Sequence, residues 1–290
     1  MAIKKKILKT YKKSLKKFGG HKLTRNGLIK KSFNVVNSFA ISQLNESKII
    51  INNQIMYLDE KDSLQLNFNG NFEPVETEIV KKEIKENDII LDVGANIGYY
   101  SLIFAQLIGK SGKVYSFEPD PTNFEILKKN ILVNKHENVI LENKAVSNKE
   151  GNLKLYLSTE NNGMHRIYPS KWCKESIDIN SIKIDNYFNK NQKIDFIKLD
   201  IEGAEYDALL GMESIIQNNE NIVIFIEFVP TSLEEHGTNP EKVIDFFINH
   251  KFKIFKINNI AEKKEEISKE ELLNFKNKDK VTNLICKRII

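Results

Sequence analysis

The sequence predicts an α/β fold: a mostly parallel, seven-stranded sheet with an antiparallel edge strand, plus an N-terminal extension. Two observations carry this prediction. Short apolar segments alternate with helix-like segments from residue 88 onward, and a turn containing glycines follows the first apolar segment. We expect two parts, namely a basic helical arm with a short β-hairpin over residues 1–70 and the sheet domain over residues 71–290.

The N-terminal extension is basic. Residues 1–45 contain 12 Lys or Arg and no Asp or Glu, whereas the rest of the chain carries 32 basic and 39 acidic residues. Apolar residues recur at helical spacing among the lysines of 3–18, which predicts an amphipathic helix that ends at Gly19-Gly20. Such a helix can pack on its own domain, contact an anionic membrane through residues 1–20, or bind nucleic acid, and nucleic acid is the partner we favour least.

The remaining elements follow in chain order. Residues 48–58 predict a hairpin, and residues 74–86 predict a helix before the sheet. Residues 261–280 are rich in Lys and Glu, which predicts a solvated insertion that contains a helix. We predict strands over 88–93, 113–117, 139–142, 194–199, 222–228, 252–257 and 284–289, and helices over 99–108, 121–134, 204–217 and 240–249.

Composition narrows the class of protein. Hydrophobic residues make up 41% of the chain and charged residues 29%, values typical of a packed globular protein. The two cysteines, Cys173 and Cys286, lack metal-ligand spacing, so we expect reduced thiols. No apolar run approaches the ~18 residues of a membrane-spanning helix, and no apolar stretch follows the N-terminal lysines as in a secretory signal. We therefore expect a cytoplasmic protein, and leave open peripheral attachment to the inner face of the membrane.

The sharpest motif is Asp92-Val93-Gly94-Ala95-Asn96-Ile97-Gly98, where the first strand meets its helix. In open α/β sheets, ligands bind beyond the carboxyl ends of the strands, and glycines there let the backbone approach a ligand closely. The motif lacks the middle glycine of a dinucleotide loop and the Gly-Lys-Ser/Thr of a P-loop. We therefore predict a loop that holds an amino-acid moiety, organised by Asp92 and shaped by Asn96.

Two further loops complete a site for a nucleotide-type cofactor. Glu118 ends the second strand, 24 residues after Gly94, where an acid can accept hydrogen bonds from both ribose hydroxyls. Asn143 and Ala145 follow the third strand, and topology places that loop beside the adenine. We assign cofactor binding to Asp92, Gly94, Asn96, Gly98, Glu118, Asn143 and Ala145.

The fourth strand ends in a run of acids. Either Asp200 or Glu202 can be the general base that takes a proton from a hydroxyl, and we assign catalysis to these two residues. A cation held by both acids and Glu227 is an alternative, although we assign no metal ligand. Another alternative is that Asp200 or Glu205 only caps the next helix. Glu227 and His165 are further candidates for the general base. His165 lies in a preceding loop that can cover an acceptor, and Arg166 and Trp172 of this loop can contact an anionic or sugar acceptor.

Taken together, these motifs resemble those of FkbM-type methyltransferases, which use S-adenosylmethionine. The resemblance covers about residues 73–230 and rests on Glu73-Pro74-Val75-Glu76, the 92–98 motif, Phe117-Glu118-Pro119, residues 199–205 and Ile226-Glu227. It implies the class I methyltransferase, Rossmann-like fold, S-adenosylmethionine as cofactor, and O-methylation of a hydroxyl on a sugar, glycolipid or other secondary metabolite, as in polysaccharide biosynthesis. The acceptor would be a small molecule or a glycan- or lipid-linked group, and the resemblance does not reach residues 1–60.

Two alternatives stay open at this point. One is a methyltransferase for RNA or protein, which only the basic arm favours. The fourth strand ends in Asp200-Ile201-Glu202-Gly203, not in the Asn/Asp-Pro-Pro-aromatic motif that holds an amine in many nitrogen methyltransferases. The other is a non-catalytic, membrane-associated scaffold in glycan assembly. The complete set of predicted cofactor residues argues against that alternative.

Overall fold

The computed structural model describes residues 47–159, 161–171, 173–274 and 282–288. The chain divides into two compact units, Met1–Phe72 and Glu73–Ile290. The helix predicted over 3–18 and the candidate residue Trp172 lie outside the described residues.

In the first unit, the predicted hairpin is confirmed. Strands β1 (Lys48–Ile51) and β2 (Gln54–Tyr57) pair antiparallel through a two-residue turn. Asn52 and Asn53 form this turn with φ of 50° and 63°, a conformation that asparagine tolerates better than most residues. A short helix, α1 (Leu66–Asn69), follows the hairpin.

The second unit is built on an eight-stranded sheet and a separate three-stranded sheet. The strands of this unit, in chain order, are β3 (Ile89–Val93), β4 (Lys113–Phe117), β5 (Val139–Glu142), β6 (Ala145–Val146), β7 (Gly151–Ser158), β8 (Cys173–Ile182), β9 (Phe196–Leu199), β10 (Val223–Phe228), β11 (Phe252–Asn258), β12 (Lys263–Glu266) and β13 (Thr282–Arg288). The helices are α2 (Pro74–Glu83), α3 (Tyr99–Leu107), α4 (Pro121–Val133), α5 (Ile184–Tyr187), α6 (Glu205–Gly211), α7 (Glu213–Asn218), α8 (Pro230–Glu235), α9 (Pro240–Asn249) and α10 (Lys269–Asn274).

The large sheet has the strand order β12-β11-β13-β10-β9-β3-β4-β5. Strands β3, β4, β5, β9 and β10 pair parallel, whereas β13 is antiparallel to both β10 and β11. This arrangement confirms the class I methyltransferase fold. The carboxyl ends of β3, β4, β9 and β10 therefore meet at one edge, where the predicted site residues lie.

The edge of the sheet differs in detail from the prediction. The antiparallel strand β13 lies inside the sheet, because its apolar residues Leu284, Ile285 and Cys286 are almost fully buried. An eighth strand, β12, is the antiparallel edge, and it comes from the segment predicted to be a solvated insertion with a helix. Its sequence Lys-Lys-Glu-Glu suits an edge, since charged side chains discourage pairing with further strands. Helix α10 follows in that segment, so its predicted helix is also present.

Two other features differ from the predicted elements. The chain between the third and fourth predicted strands, for which no strand was predicted, contains the small sheet in the order β6-β8-β7. The helix predicted over 204–217 is two helices, α6 and α7, joined at Met212. A Cβ at the neighbouring Gly211 would lie 2.0 Å from the Ser147 carbonyl oxygen, so this close approach fixes the backbone at the junction.

Candidate active site

The loop between β3 and α3 turns sharply. Gly94, Asn96 and Gly98 have φ of 78°, 51° and 93°. A Cβ at Gly94 would lie 1.9 Å from the Asp200 carbonyl oxygen, and one at Gly98 would lie 2.6 Å from a methyl of Leu127. The loop thus needs glycine at both positions, for its conformation and for its packing.

Asp92 lies beneath this loop. It is fully buried, and one of its carboxylate oxygens accepts a hydrogen bond from the Ser101 hydroxyl at 2.6 Å. The other oxygen accepts no hydrogen bond from the described residues and faces the Lys198 ammonium at 3.8 Å. Burial raises the pKa of Asp92. The structure therefore supports Asp92 as an organiser of the loop.

Glu118 joins the second loop to the first. Its two carboxylate oxygens accept hydrogen bonds from the backbone N–H groups of Asn96 at 2.8 Å and Asp120 at 2.9 Å. Burial raises the pKa of Glu118 to about 8, although these two donors act in the opposite direction. Each carboxylate oxygen has more than one acceptor position, so both can accept a further hydrogen bond from a ligand.

The third loop supports the second. The Asn143 amide donates to the carbonyl oxygens of Glu118 at 2.8 Å and Pro119 at 3.1 Å. Ala145 is buried and begins β6, where it pairs with Ser181 of β8. Asn143 is therefore close to the Glu118 backbone, whereas Ala145 belongs to the small sheet.

Carboxyl groups gather where β9 and β10 end. Burial, followed by the Asp200 charge, raises the pKa of Glu202 to about 8 and that of Glu73, at the start of α2, to about 7. Burial also raises the pKa of Glu227 well above its usual value, with Asp200 and Glu202 adding to the effect. The structure thus brings Asp200 and Glu202 together, with Glu227 within electrostatic range.

The environment of Glu205 differs from that of the other carboxyl groups. One of its carboxylate oxygens accepts hydrogen bonds from the backbone N–H groups of Ile201 at 3.2 Å and Gly203 at 3.0 Å. Burial raises its pKa to about 7. Glu205 therefore closes the turn that leads into α6. It lies in the first turn of this helix, whose N-cap is Ala204 and has no side-chain cap hydrogen bond.

Lys198 is a site residue that the sequence analysis missed. It lies in the middle of β9, its side chain is 3% exposed, and its ammonium lies 3.1 Å from the Asp200 carboxylate. It also donates to the Gly94 carbonyl oxygen at 3.3 Å. A lysine between buried apolar neighbours was the signal, since a buried ammonium requires partners.

A segment between β7 and β8, residues 161–168, contacts both the residues that follow β4 and the turn that follows β9, and we call it the strap. On one side, Asn123 of α4 donates to the Asn162 carbonyl oxygen at 3.0 Å. The His165 ring lies 3.8 Å from the Asp120 carboxylate. The strap is therefore fixed to the segment that follows Glu118.

On its other side, the strap contacts the acids. Arg166 pairs with Glu235 of α8 at 2.8 Å and with Glu202 at 3.5 Å. The Tyr168 hydroxyl donates to the Glu202 carbonyl oxygen at 2.9 Å. The strap thus connects the predicted cofactor side with the predicted catalytic side, and brings the candidates His165 and Arg166 to the site.

Comparison with known sequences decides the family. The profile of the methyltransferase FkbM domain matches residues 92–254, more than half of the chain. The chain belongs to the FkbM methyltransferase family. S-adenosylmethionine is the cofactor of FkbM methyltransferases, so both the family and the cofactor expected from the sequence are confirmed.

Two curated methyltransferases are similar to the chain. The chain is 27% identical over 151 residues to the hexuronic acid methyltransferase AglP of Haloferax volcanii, covering 51% of this chain and 59% of that protein. It is 26% identical over 162 residues to the methyltransferase sdnD of Sordaria araneosa, covering 45% of this chain and 62% of that protein. The match thus spans about three fifths of each relative's length.

Solved structures with a similar fold are more distant in sequence from this FkbM chain. An S-adenosylmethionine-dependent O-methyltransferase from Thermotoga maritima is 10% identical, with a TM-score of 0.43 over 84% of this chain and 77% of that one. An rRNA methylase from Streptococcus thermophilus is 11% identical, with a TM-score of 0.43 over 73% of this chain and 93% of that one.

In the described ranges, no group of three or more His, Cys, Asp or Glu side chains is arranged to hold a metal ion. None of the helices in that part of the chain has the length and apolar character needed to cross a bilayer.

Proposed function

We propose that the chain is an S-adenosylmethionine-dependent methyltransferase that methylates a hydroxyl of a sugar, glycolipid or other secondary metabolite. The observation that carries this proposal is the hydrogen bond between Glu118 and the backbone of Asn96 at 2.8 Å, which joins the glycine loop to the acid predicted to bind the ribose. Membership of the FkbM family supports the cofactor. Similarity to a protein named as a hexuronic acid methyltransferase supports a sugar acceptor.

The residues of the three loops fit this cofactor. The glycine loop, with Gly94, Asn96 and Gly98, would hold its amino-acid part, since no side chain at Gly94 or Gly98 obstructs the backbone. Glu118 would accept hydrogen bonds from the two ribose hydroxyls. The segment from Asn143 to Ala145 would border the adenine, where the Asn143 amide positions the Glu118 backbone. When bound, S-adenosylmethionine supplies a methyl group activated by its sulfonium.

Asp200 and Glu202 would act on the acceptor. A hydroxyl must lose its proton as it attacks a methyl group, and a positioned base typically contributes ~10²–10⁴-fold to such a step. A carboxyl whose pKa is about 8 is a stronger base than an ordinary carboxylate. We therefore assign removal of the proton from the acceptor hydroxyl to Glu202. Asp200, held by the Lys198 ammonium, would accept a hydrogen bond from the acceptor and orient it.

The cellular location of the protein and the role of its basic arm are proposals separate from the proposed reaction. Peripheral contact of residues 1–20 with an anionic membrane and a cytoplasmic location are expectations from the sequence, and the arm lies outside the described residues. Binding of the full chain to anionic and to neutral vesicles, each with and without RNA competitor, tests the arm independently of the active site.

The proposal is tested first by calorimetric titration with S-adenosylmethionine and S-adenosylhomocysteine. We expect the wild type to bind both and Glu118→Ala to bind them at least about 10-fold more weakly, because the variant loses the two hydrogen bonds to the ribose hydroxyls. Glu125→Ala is the matched control, since Glu125 lies on α4 with a side chain that is 70% exposed.

Folded wild-type protein that binds neither compound would contradict the proposal. If binding is observed, transfer of a labelled methyl group to neutral sugars, uronic acids, glycolipids, RNA and protein identifies the acceptor. If the methyl group is transferred only to RNA or protein, the cofactor assignment stands. The proposed acceptor, a hydroxyl of a sugar, glycolipid or other secondary metabolite, is then wrong.

A further inference from the structure

Lys198 occupies a position where lysine is rare. Its strand, β9, lies between β3 and β10, and its neighbours Ile197 and Leu199 are fully buried. Removing an ammonium from water costs several kcal/mol unless charged or polar partners replace the water. The three N–H groups of Lys198 therefore require acceptors inside the protein.

Its partners come from two different loops. The ammonium donates to the Asp200 carboxylate, which follows β9, and to the Gly94 carbonyl oxygen in the glycine loop. The Asp92 oxygen that receives no hydrogen bond from the described part of the chain is 3.8 Å away, and the Tyr100 ring centroid is 5.3 Å away. One buried cation thus links the start of the glycine loop to the predicted catalytic carboxylate.

The backbone at this place leaves little freedom. Gly94 and Asp200 approach so closely that a Cβ on Gly94 would lie 1.9 Å from the Asp200 carbonyl oxygen. The Asp200 N–H donates to the Val93 carbonyl oxygen at 3.2 Å. A change in one loop must therefore move the other, and Lys198 supplies the charged contact between them.

The ammonium is charged in this environment. Burial on its own would lower the pKa of Lys198, but the charges of Asp200 and Asp92 outweigh burial and raise it. Without Lys198, Asp92 would be a fully buried carboxylate whose only hydrogen bond in the described chain comes from Ser101.

We propose that Lys198 is a positioning residue that couples the cofactor loop to the catalytic carboxylate. It fixes the Gly94 carbonyl and Asp92 on the cofactor side and Asp200 on the acceptor side. This inference rests on the proposed function. It adds that cofactor binding is transmitted to Asp200 through the Lys198 ammonium, which is too deeply buried to touch the acceptor itself.

The first test is the affinity of S-adenosylhomocysteine for Lys198→Met. We expect affinity to fall on the order of 10- to 100-fold, because the Gly94 carbonyl and Asp92 lose the charged contact that holds the cofactor loop in its binding conformation. Lys193→Met is the matched control, because Lys193 precedes the same strand, pairs with Asp195 at 2.6 Å, and has a side chain that is 68% exposed. The control should bind as the wild type does.

The second test uses NMR of the lysine ammonium groups in the wild-type protein, so it does not depend on Lys198→Met folding. The buried, hydrogen-bonded ammonium of Lys198 gives a resonance in the wild type. This resonance is assigned to Lys198 because it is missing from the spectrum of Lys198→Arg. Adding S-adenosylhomocysteine should shift this resonance, and Asp200→Asn should reduce that shift. A purely structural lysine would keep the same resonance with and without ligand.

The outcomes separate the two proposals. If the wild type binds S-adenosylhomocysteine but the Lys198 resonance does not move, or folded Lys198→Met binds normally, the coupling role is wrong and the proposed function stands. If the folded wild type does not bind the compound, the proposed function fails and the coupling role fails with it.

Discussion

Gly94 shows how one residue connects the two halves of the site. Its φ of 78° is accessible to glycine at little cost, and a Cβ there would meet a backbone oxygen that cannot rotate away. Gly237 has a similar φ of 90° with nothing within 4 Å of its ideal Cβ. The two glycines share a conformation and differ in crowding.

Replacing each of these glycines by alanine therefore separates strain from crowding. For Gly237→Ala we expect a loss of about 1–2 kcal/mol in the free energy of unfolding, the cost of a left-handed residue with a side chain. Gly94→Ala should lose roughly 1–3 kcal/mol more, from overpacking, and should also lose S-adenosylhomocysteine binding. Denaturant unfolding measures both variants, and equal losses would show that Gly94 is not crowded.

Glu202 carries the pH dependence of the proposed reaction. A general base must be deprotonated, so with a pKa of about 8 its active fraction grows as the pH rises through that value. When the enzyme is saturated with cofactor, the effect of Glu118 on cofactor binding no longer contributes to the pH dependence of the rate. Under these conditions we expect kcat to rise toward alkaline pH. Glu202→Gln should lower kcat by ~10²–10⁴-fold and abolish this rise. Asp200→Asn, in contrast, should lower kcat and retain the rise.

At the scale of elements, the strap controls the surroundings of Glu202. Arg166 lowers the pKa of Glu202, although burial dominates and the net shift is upward. Arg166→Ala should therefore raise this pKa further, so that the alkaline rise of kcat moves to higher pH. Lys154→Ala is the control, since Lys154 pairs with Asp178 on the exposed face of the same β7–β8 hairpin. An unchanged profile in Arg166→Ala would show that the strap does not influence the base.

The elements also show which parts of the structure the sequence can predict. The seven principal strands are recognisable because apolar residues either follow one another or alternate with polar ones in each, as in β11 with its alternating lysines. Strand β8 escaped prediction because polar residues alternate along it and its pairing with β7 crosses a long connection. The strap was likewise recognisable only as a loop, since its contacts with Glu235 and Glu202 join residues distant in the chain.

The same difference between local patterns and distant contacts applies to the site. Topology alone brings the loops after β3, β4, β5 and β9 to one edge, so the predicted residues Asp92, Glu118, Asn143 and Asp200 lie where they were expected. Their assigned roles remain predictions. The role of Lys198 depends on an acceptor 104 residues away, the Gly94 carbonyl, which no local pattern reveals.

At the scale of the whole molecule, buried carboxyls connect the site to stability. Burial raises the pKa values of Glu73 and Glu205 to about 7 and those of Glu118 and Glu202 to about 8, from a usual value of 4.5. At these four carboxyls the folded chain therefore binds more protons than the unfolded chain between pH 4.5 and about 8. Their contribution to stability falls as the pH rises through this window, because proton binding then favours the folded state less.

This gives a prediction for unfolding. The midpoint of thermal unfolding should be higher at about pH 6 than at about pH 8.5. Glu205→Gln should flatten this dependence, since glutamine resembles the protonated acid, carries no charge to bury, and can still accept the backbone N–H groups of Ile201 and Gly203. Its midpoint should consequently exceed that of the wild type at the higher pH.

The matched control for Glu205→Gln is Glu271→Gln on α10. Hydrogen bonds from Ser268 lower the pKa of Glu271, the opposite direction to Glu205. Its contribution to stability is present above the usual value of 4.5 and is lost only as the pH falls further. Glu271→Gln should therefore leave the slope between about pH 6 and pH 8.5 unchanged. If both variants flatten that slope equally, the pH dependence arises from the net charge of the chain, and the buried carboxyls of the site do not cause it.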